Sequence, residues 1–172
     1  MPEPLPPQVI GATLDVPLAT SDAVDVALSE PAELGLAQDA GGGPAGDGRV
    51  FLRVEGVTGT AAAPVYEIYL NVPPGSAPAE HPELRAGFFS TFGLTEASRR
   101  DELHDGSGLT TVFEVSAVRD TLEQQGRWDP GRLQVSFSPV TPGAVEDAPA
   151  IADAGEARAS DLRAGQIAVV VT

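Results

Sequence analysis

Two histidines, 25 carboxylates and no cysteine are the side chains with which this chain could do chemistry. Neither His81 nor His104 has a second histidine or a cysteine at the spacing of a metal-binding motif. Because there is no thiolate to complete a ligand set, we do not expect a transition-metal site built from this chain alone. We predict that both histidines lie in loops, with a metal ligand shared with a partner as the alternative, and we predict no cofactor.

The other chemical motifs are also incomplete. The acidic stretch DELHDGSG at 101–108 lacks the alternating oxygen ligands and the late Glu of an EF-hand, so we predict a solvated loop and leave calcium open. The glycine-rich stretch AGGGPAGDG at 40–48 lacks the Lys-Ser/Thr ending of a phosphate loop. No serine lies in a G-x-S-x-G elbow. The chain is therefore predicted not to be an enzyme.

Charge and hydropathy limit the partners. The net charge of -15 repels phosphate backbones and anionic membrane surfaces, which excludes nucleic acid as an expected partner. No stretch approaches the roughly 20 apolar residues of a membrane span, and the first residues do not resemble a signal peptide. We expect no membrane association, and the localisation stays open because the absence of cysteine suits any redox compartment.

Alternation of apolar and polar residues predicts seven or eight strands. In Arg49–Val57, for example, Val50, Leu52 and Val54 alternate with more polar residues, which is typical of a strand with one face in a core. The other predicted strands are Thr13–Leu18, Asp22–Leu28, Val65–Val72, Arg85–Phe92, Leu109–Val115, Arg132–Val140 and a last one through Ile167, Val169 and Val171. Gly87 inside one of them indicates a bulge or a close approach of another segment.

One short helix is predicted, capped by Ser116 and stopped by Gly126. Turn residues between strands, without helices alternating with them, favour an all-β fold, an antiparallel, jelly-roll-like β-sandwich. We predict a Pro-rich linker or arm at 1–11 and a single sandwich domain at 12–172. Three flexible loops are predicted in this domain, at 40–48, 95–108 and 141–160.

Phe88 and Phe89 are consecutive in a predicted strand, so their rings must point to opposite faces. One ring is expected in the core. The other is expected either under a loop or neighbouring strand, or on the surface facing a partner.

The order of these runs resembles the C-terminal domain that follows the copper domain in tyrosinases and plant polyphenol oxidases. The runs are VFLRVEGV, VYEIYLNVP, RAGFFSTFG, LTTVFEVSAVRDTLEQQGRWDPGRLQVSFSPV and AGQIAVVV, and the opening PPQVIGATLDVPLAT is similar to the segment joining the two domains in bacterial tyrosinases. Tyr66, Glu67, Ile68 and Tyr69 stand where the plant proteins carry Lys-Phe-Asp-Val. The AGFF stretch is also similar to part of the haemocyanin C-terminal sandwich. The chain departs from the pattern in that tetrapeptide and in long inserts after Gly93 and Val140.

The resemblance implies a non-catalytic domain that covers the active-site entrance of a copper phenol oxidase, keeping it latent, or that assists its folding and copper loading. The implied partner is a copper-containing tyrosinase catalytic domain, in the same polypeptide or as a cleaved fragment, and copper belongs to that partner. In related sandwiches an apolar side chain enters the substrate pocket, and by motif position Phe88 or Phe89 is the candidate plug.

Two alternatives of other classes stay open. The first is an independent ligand- or carbohydrate-binding sandwich, in which an exposed Trp128, or Tyr66 with Tyr69, would form a stacking platform. The second is a self-associating structural module that uses sheet edges or the Phe-rich strand.

Overall fold

The computed structural model describes residues 7–18, 23–28, 49–61, 63–100, 105–140 and 161–172. These residues form eight strands, two short α-helices and two 3-10 turns. The elements in chain order are β1 (Gln8–Pro17), β2 (Val24–Ala27), β3 (Val50–Val57), β4 (Val65–Leu70), the turns Pro78–Glu80 and Pro82–Leu84, β5 (Arg85–Ser90), α1 (Leu94–Ser98), β6 (Leu109–Glu114), α2 (Ser116–Gln124), β7 (Arg132–Pro139) and β8 (Arg163–Val171). None of the described helices has the length and apolar content needed to cross a membrane.

The strands form two antiparallel four-stranded sheets. Sheet A has the order β1-β8-β3-β6 and sheet B the order β2-β7-β4-β5. The first strand pairs with the last, the second with the seventh, the third with the sixth and the fourth with the fifth. A long antiparallel ribbon wound into two sheets has this nested pairing, which is the topology of a jelly roll. The predicted all-β antiparallel sandwich is confirmed.

The core lies between the two sheets and is built by the predicted alternation. Leu52 and Val54 of β3 are buried, and their neighbours across the sheet, Val169 and Ile167 of β8, are buried with them. From sheet B, Ile68 of β4 and Phe137 of β7 are paired and point into the same core. Apolar burial from both inner faces is the main stabilising term for such a sandwich.

The helix α2 closes one end of the sandwich. Val118 and Leu122 are buried on one helical face, and the helix ends before Gly126, whose φ of 65° suits glycine. Ser116 does not cap this helix. Its hydroxyl instead accepts a hydrogen bond from the backbone N–H of Val50 at 3.0 Å, which joins the start of α2 to β3.

Gly87 lies where β5 and β6 approach each other. A Cβ atom at this position would stand 2.7 Å from Cδ1 of Phe113, so the ring of Phe113 occupies the space that a larger residue would need. The register of β4 and β5 also shifts beside it, between Ile68 and Tyr69. Both features expected from this glycine, a bulge and a close approach, are present.

Several boundaries differ from those expected; for example, β5 ends at Ser90 and β8 begins at Arg163. The strand β1 begins at Gln8, inside the predicted linker at 1–11, because its pairing with β8 outweighs the proline-rich signal before it. The strand β4 ends at Leu70, because Asn71 has a φ of 46° and its side-chain oxygen accepts a hydrogen bond from Gln134 N. A five-residue helix, α1, lies at the start of the predicted loop at 95–108. The predicted loops at 40–48 and 141–160 lie outside the described residues.

Candidate functional site

The two consecutive phenylalanines of β5 lie on opposite faces of sheet B. Phe89 pairs with Tyr66 on the inner face and is fully buried. Phe88 pairs with Glu67 on the outer face and is 54% exposed. Phe89 is therefore a core residue, and Phe88 is the member of the pair that a partner could contact directly.

Phe88 belongs to a connected group on the outer face, which we call the Arg85 cluster (Glu67, Tyr69, Arg85 and Phe88). The guanidinium of Arg85 lies over the Phe88 ring, with Cζ 4.8 Å from the ring centroid. Arg85 Nη1 donates to Glu67 Oε1 at 2.9 Å, and the Tyr69 hydroxyl donates to Glu67 Oε2 at 2.9 Å. One carboxylate thus holds both the arginine and the tyrosine, and the arginine in turn fixes the ring.

The electrostatics of this cluster affect Tyr69 most. Burial raises the pKa of the Tyr69 hydroxyl above its ordinary value, and the hydrogen bond and negative charge of Glu67 raise it further. Arg85 opposes this shift because its positive charge favours the tyrosinate. The hydroxyl therefore stays protonated at neutral pH and acts as a hydrogen-bond donor.

Phe92 is the most exposed large apolar side chain among the described residues, at 92%. It lies in the turn between β5 and α1, where Thr91 N donates to Pro64 O and Gly93 takes a φ of 78°. Phe92 was not among the expected site residues, because the alternating pattern placed it as the last residue of the predicted strand Arg85–Phe92, whereas β5 ends at Ser90. The signal that could have found it is the Phe-Gly pair, since glycine with positive φ places its neighbour on a turn.

The four residues at the tetrapeptide motif, Tyr66, Glu67, Ile68 and Tyr69, are divided between the two faces of β4. Tyr66 and Ile68 are buried on the inner side, and Glu67 and Tyr69 belong to the Arg85 cluster. Tyr66 and Tyr69 are both buried, so they do not form an exposed stacking platform. Trp128 is partly buried and packs against the core, which also counts against the carbohydrate-binding alternative.

His81 lies between the two 3-10 turns, with Nδ1 3.1 Å from Glu83 Oε1. The pKa of Glu83 is lowered, first by its own backbone N–H and then by its contact with His81. His104 lies outside the described residues. Within the described ranges no three side chains of the types His, Asp and Glu are grouped as a metal site would require.

Solved structures with a similar fold include two of recombinantly expressed latent aurone synthase (polyphenol oxidase). The chain matches one with a TM-score of 0.52 and 13% identity, covering 93% of this chain and 26% of that chain. It matches the other, co-crystallized with hexatungstotellurate(VI), with a TM-score of 0.51 and 14% identity, covering 93% and 25%. The chain thus spans about a quarter of the length of these proteins. The likeness establishes a shared fold.

No curated protein matches the chain. A family model does match, over residues 7–151, which is most of the sequence and includes seven of the eight strands. The chain therefore belongs to the family described as "Domain of unknown function (DUF7868)".

Proposed function

We propose that this chain is a non-catalytic accessory domain of a tyrosinase-type copper phenol oxidase, and that it keeps the enzyme latent by covering its active-site entrance. The observation that carries the proposal is the fold likeness, which extends over 93% of this chain but only about a quarter of a latent polyphenol oxidase. A region of that size fits a domain attached to a larger catalytic unit. The motif order in the sequence supports the same assignment.

The exposed aromatic side chains support a plugging role. Phe89 is fully buried and moving it outward would open the core, so we do not propose it as the plug. Phe88 lies on the outer face of β5, the edge strand of sheet B, and is flanked by Arg85 and Glu67, so it suits a flat contact. Phe92 projects from a turn, and only a projecting side chain can enter a narrow pocket. We assign Phe92 as the plug and the Arg85 cluster as part of the surrounding contact.

The energetics of this role require only a weak contact. Burying a fully exposed Phe side chain is worth about 1.5–3 kcal/mol. In one polypeptide the plug is present at an effective concentration in the millimolar range, so even a weak contact excludes substrate. Cleaving the polypeptide between this chain and the catalytic domain removes the high effective concentration of the plug, and phenol oxidation should then rise.

The composition also suits a position beside a source of quinones. The chain has no cysteine and no lysine, since all ten of its basic side chains are arginines. Oxidised phenols form bonds with thiolates and free amines, whereas the guanidinium of arginine stays protonated and is a poor nucleophile. A lid without cysteine and lysine would resist modification by the quinones that the enzyme beside it releases.

The test is inhibition of a tyrosinase-type copper domain that adjoins this chain in the same polypeptide. Phenol oxidation is measured for the catalytic domain alone, with the chain attached, and with the chain attached but carrying Phe92→Ser. The proposal expects the attached chain to suppress activity and Phe92→Ser to restore most of it. Val112→Ser, which removes an exposed apolar side chain from the opposite sheet, is the matched control and should leave the enzyme latent. Equal activity with and without the chain would overturn the proposal.

A further inference from the structure

The backbone of its turn, and not packing of its ring, determines where Phe92 lies. The Phe92 side chain is 92% exposed, so contacts with the rest of the domain do little to fix it. The turn itself lies between two buried side chains, Phe89 near the end of β5 and Leu94 at the start of α1. The chain is therefore anchored in the core on both sides of the exposed ring.

Thr91 joins this turn to the segment before β4. Its backbone N–H donates to Pro64 O at 2.9 Å. Its hydroxyl lies 3.0 Å from the same carbonyl oxygen and 3.1 Å from Ala63 O, so its one proton is shared between two acceptors. Both donors of Thr91 thus bind carbonyls that lie 27 and 28 positions away in the chain. An aliphatic residue at this position would keep only the backbone hydrogen bond.

Two further hydrogen bonds close the turn. Phe92 N donates to Ser90 Oγ at 3.2 Å, and Leu94 N donates to Thr91 O at 3.0 Å. Gly93 has a φ of 78°, and a Cβ atom built on it would meet nothing within 4 Å. Glycine therefore serves the backbone conformation here, and the space beside the Phe92 ring is open. The turn presents one aromatic side chain from an ordered backbone.

We propose that Thr91 is the positioning residue of the plug. Its hydroxyl orders the turn before any contact with the enzyme is made, and this ordering sets how completely Phe92 blocks the active-site entrance. The effect on latency rests on the proposed function, whereas the ordering of the turn is a property of this chain alone.

The energy balance explains why the turn has to be ordered in advance. Fixing the backbone of a single residue costs a free energy similar to that gained by burying one Phe ring. A turn that became ordered only on contact would therefore lose most of the binding free energy of the plug. The hydrogen bonds of Thr91 remove this cost, because they fix the backbone before Phe92 meets the pocket.

The first experiment measures order at the turn in the whole chain without an enzyme. Order parameters from ¹⁵N relaxation should be about 0.85 for the Phe92 and Gly93 amides, as in a rigid backbone. They should fall below about 0.6 in Thr91→Val, which keeps the shape of the side chain but lacks the hydroxyl. Thr91→Ser keeps the hydroxyl and should keep the order. Circular dichroism should show every variant folded.

The second experiment measures phenol oxidation with the chain attached to the copper domain. Thr91→Val should raise the residual activity about fivefold, the factor that corresponds to losing one typical hydrogen bond. Thr91→Ser should stay within about twofold of the parent. Thr13→Val is the matched control, because the Thr13 hydroxyl donates to Asp25 O at 3.0 Å at the opposite edge of the sandwich. It should change neither the order of the turn nor the latency.

Equal order at Phe92 in the parent chain and in Thr91→Val would overturn the proposal. A Thr91→Ser variant as disordered as Thr91→Val would also overturn it, because the hydroxyl alone would then not hold the turn. If Phe92→Ser activates the attached enzyme and Thr91→Val does not, the positioning role fails while the lid function stands. If the attached chain does not inhibit at all, the lid function fails, and a loss of order confined to Thr91→Val would still support the positioning of Phe92.

Discussion

The guanidinium carbon of Arg85 lies 4.8 Å from the centroid of the Phe88 ring, while the same guanidinium donates to Glu67 at 2.9 Å. The ring is thus held on the outer face by a cation that a carboxylate fixes in turn. This arrangement separates Phe88 from its neighbour Phe89, which occupies the core.

Phe89→Ala should destabilise the domain far more than Phe88→Ala. Removing a fully buried Phe leaves a cavity and should lower the free energy of unfolding by about 3–5 kcal/mol. Removing Phe88 loses an exposed cation–π contact, worth about 0.5–1 kcal/mol. Denaturant unfolding of the two variants measures the difference, and equal losses would contradict the assignment of the two faces.

Tyr69 should titrate above the ordinary tyrosine pKa of 10.0, because burial and Glu67 favour its protonated form. In the folded state Tyr69 keeps its proton at a pH where the unfolded chain has lost it. Its contribution to stability is therefore complete below pH 10.0 and is lost as pH rises through the raised pKa. Ultraviolet absorbance in a Tyr66→Phe background reports this hydroxyl alone, since the chain has two tyrosines.

Two variants test the causes of this shift in opposite directions. Glu67→Gln removes the negative charge and should lower the pKa of Tyr69, whereas Arg85→Met removes the positive charge and should raise it further. Shifts of the same sign in both variants would show that the Arg85 cluster does not form in solution.

Gly87→Ala should destabilise the sandwich by about 1–3 kcal/mol, because the added methyl group overpacks the contact with the Phe113 ring. Gly131→Ala is the control, since its Cβ would meet its nearest neighbour at an ordinary 3.5 Å. Combining Gly87→Ala with Phe113→Leu should recover part of the loss. A Gly87→Ala variant as stable as the parent chain would show that β5 and β6 are not in this contact.

Exposure to a small ortho-quinone should leave the chain almost unmodified. The available nucleophiles are the N-terminal amine and the two histidines, because cysteine and lysine are absent. Intact mass spectrometry should show no adducts beyond these groups, and Arg132→Lys, at an exposed position, should gain one more. Heavy modification of the unaltered chain would remove this support for a position beside a quinone source.

The alternation of apolar and polar residues predicted the ends of most strands to within two residues. In β3 and β7 the alternation follows the burial closely, because one face of each strand packs on a single core. The alternation also predicted that Phe88 and Phe89 face opposite ways, but not which ring is buried. That choice depends on which face of sheet B packs against sheet A, which is a contact between strands far apart in the sequence.

The features that were missed depend on similar long-range contacts. Tyr69 is on the outer face of sheet B and is buried all the same, so alternation alone could not predict its burial. The start of β1 was hidden because prolines precede it and its partner, β8, is the last strand in the chain.

The pairing of β1 with β8 also determines when the domain can form during synthesis. In sheet A, β8 lies between β1 and β3, so β1 has no partner strand in this sheet, and β3 has only β6, until Val171 has left the ribosome. Loop closure over nearly the whole chain makes this a slow, non-local step. Until it is complete, β1 and β3 expose unpaired edges to other nascent chains. A chain truncated before Arg163 would therefore be an aggregation-prone half-sandwich, and the domain folds only after β8 has been synthesised.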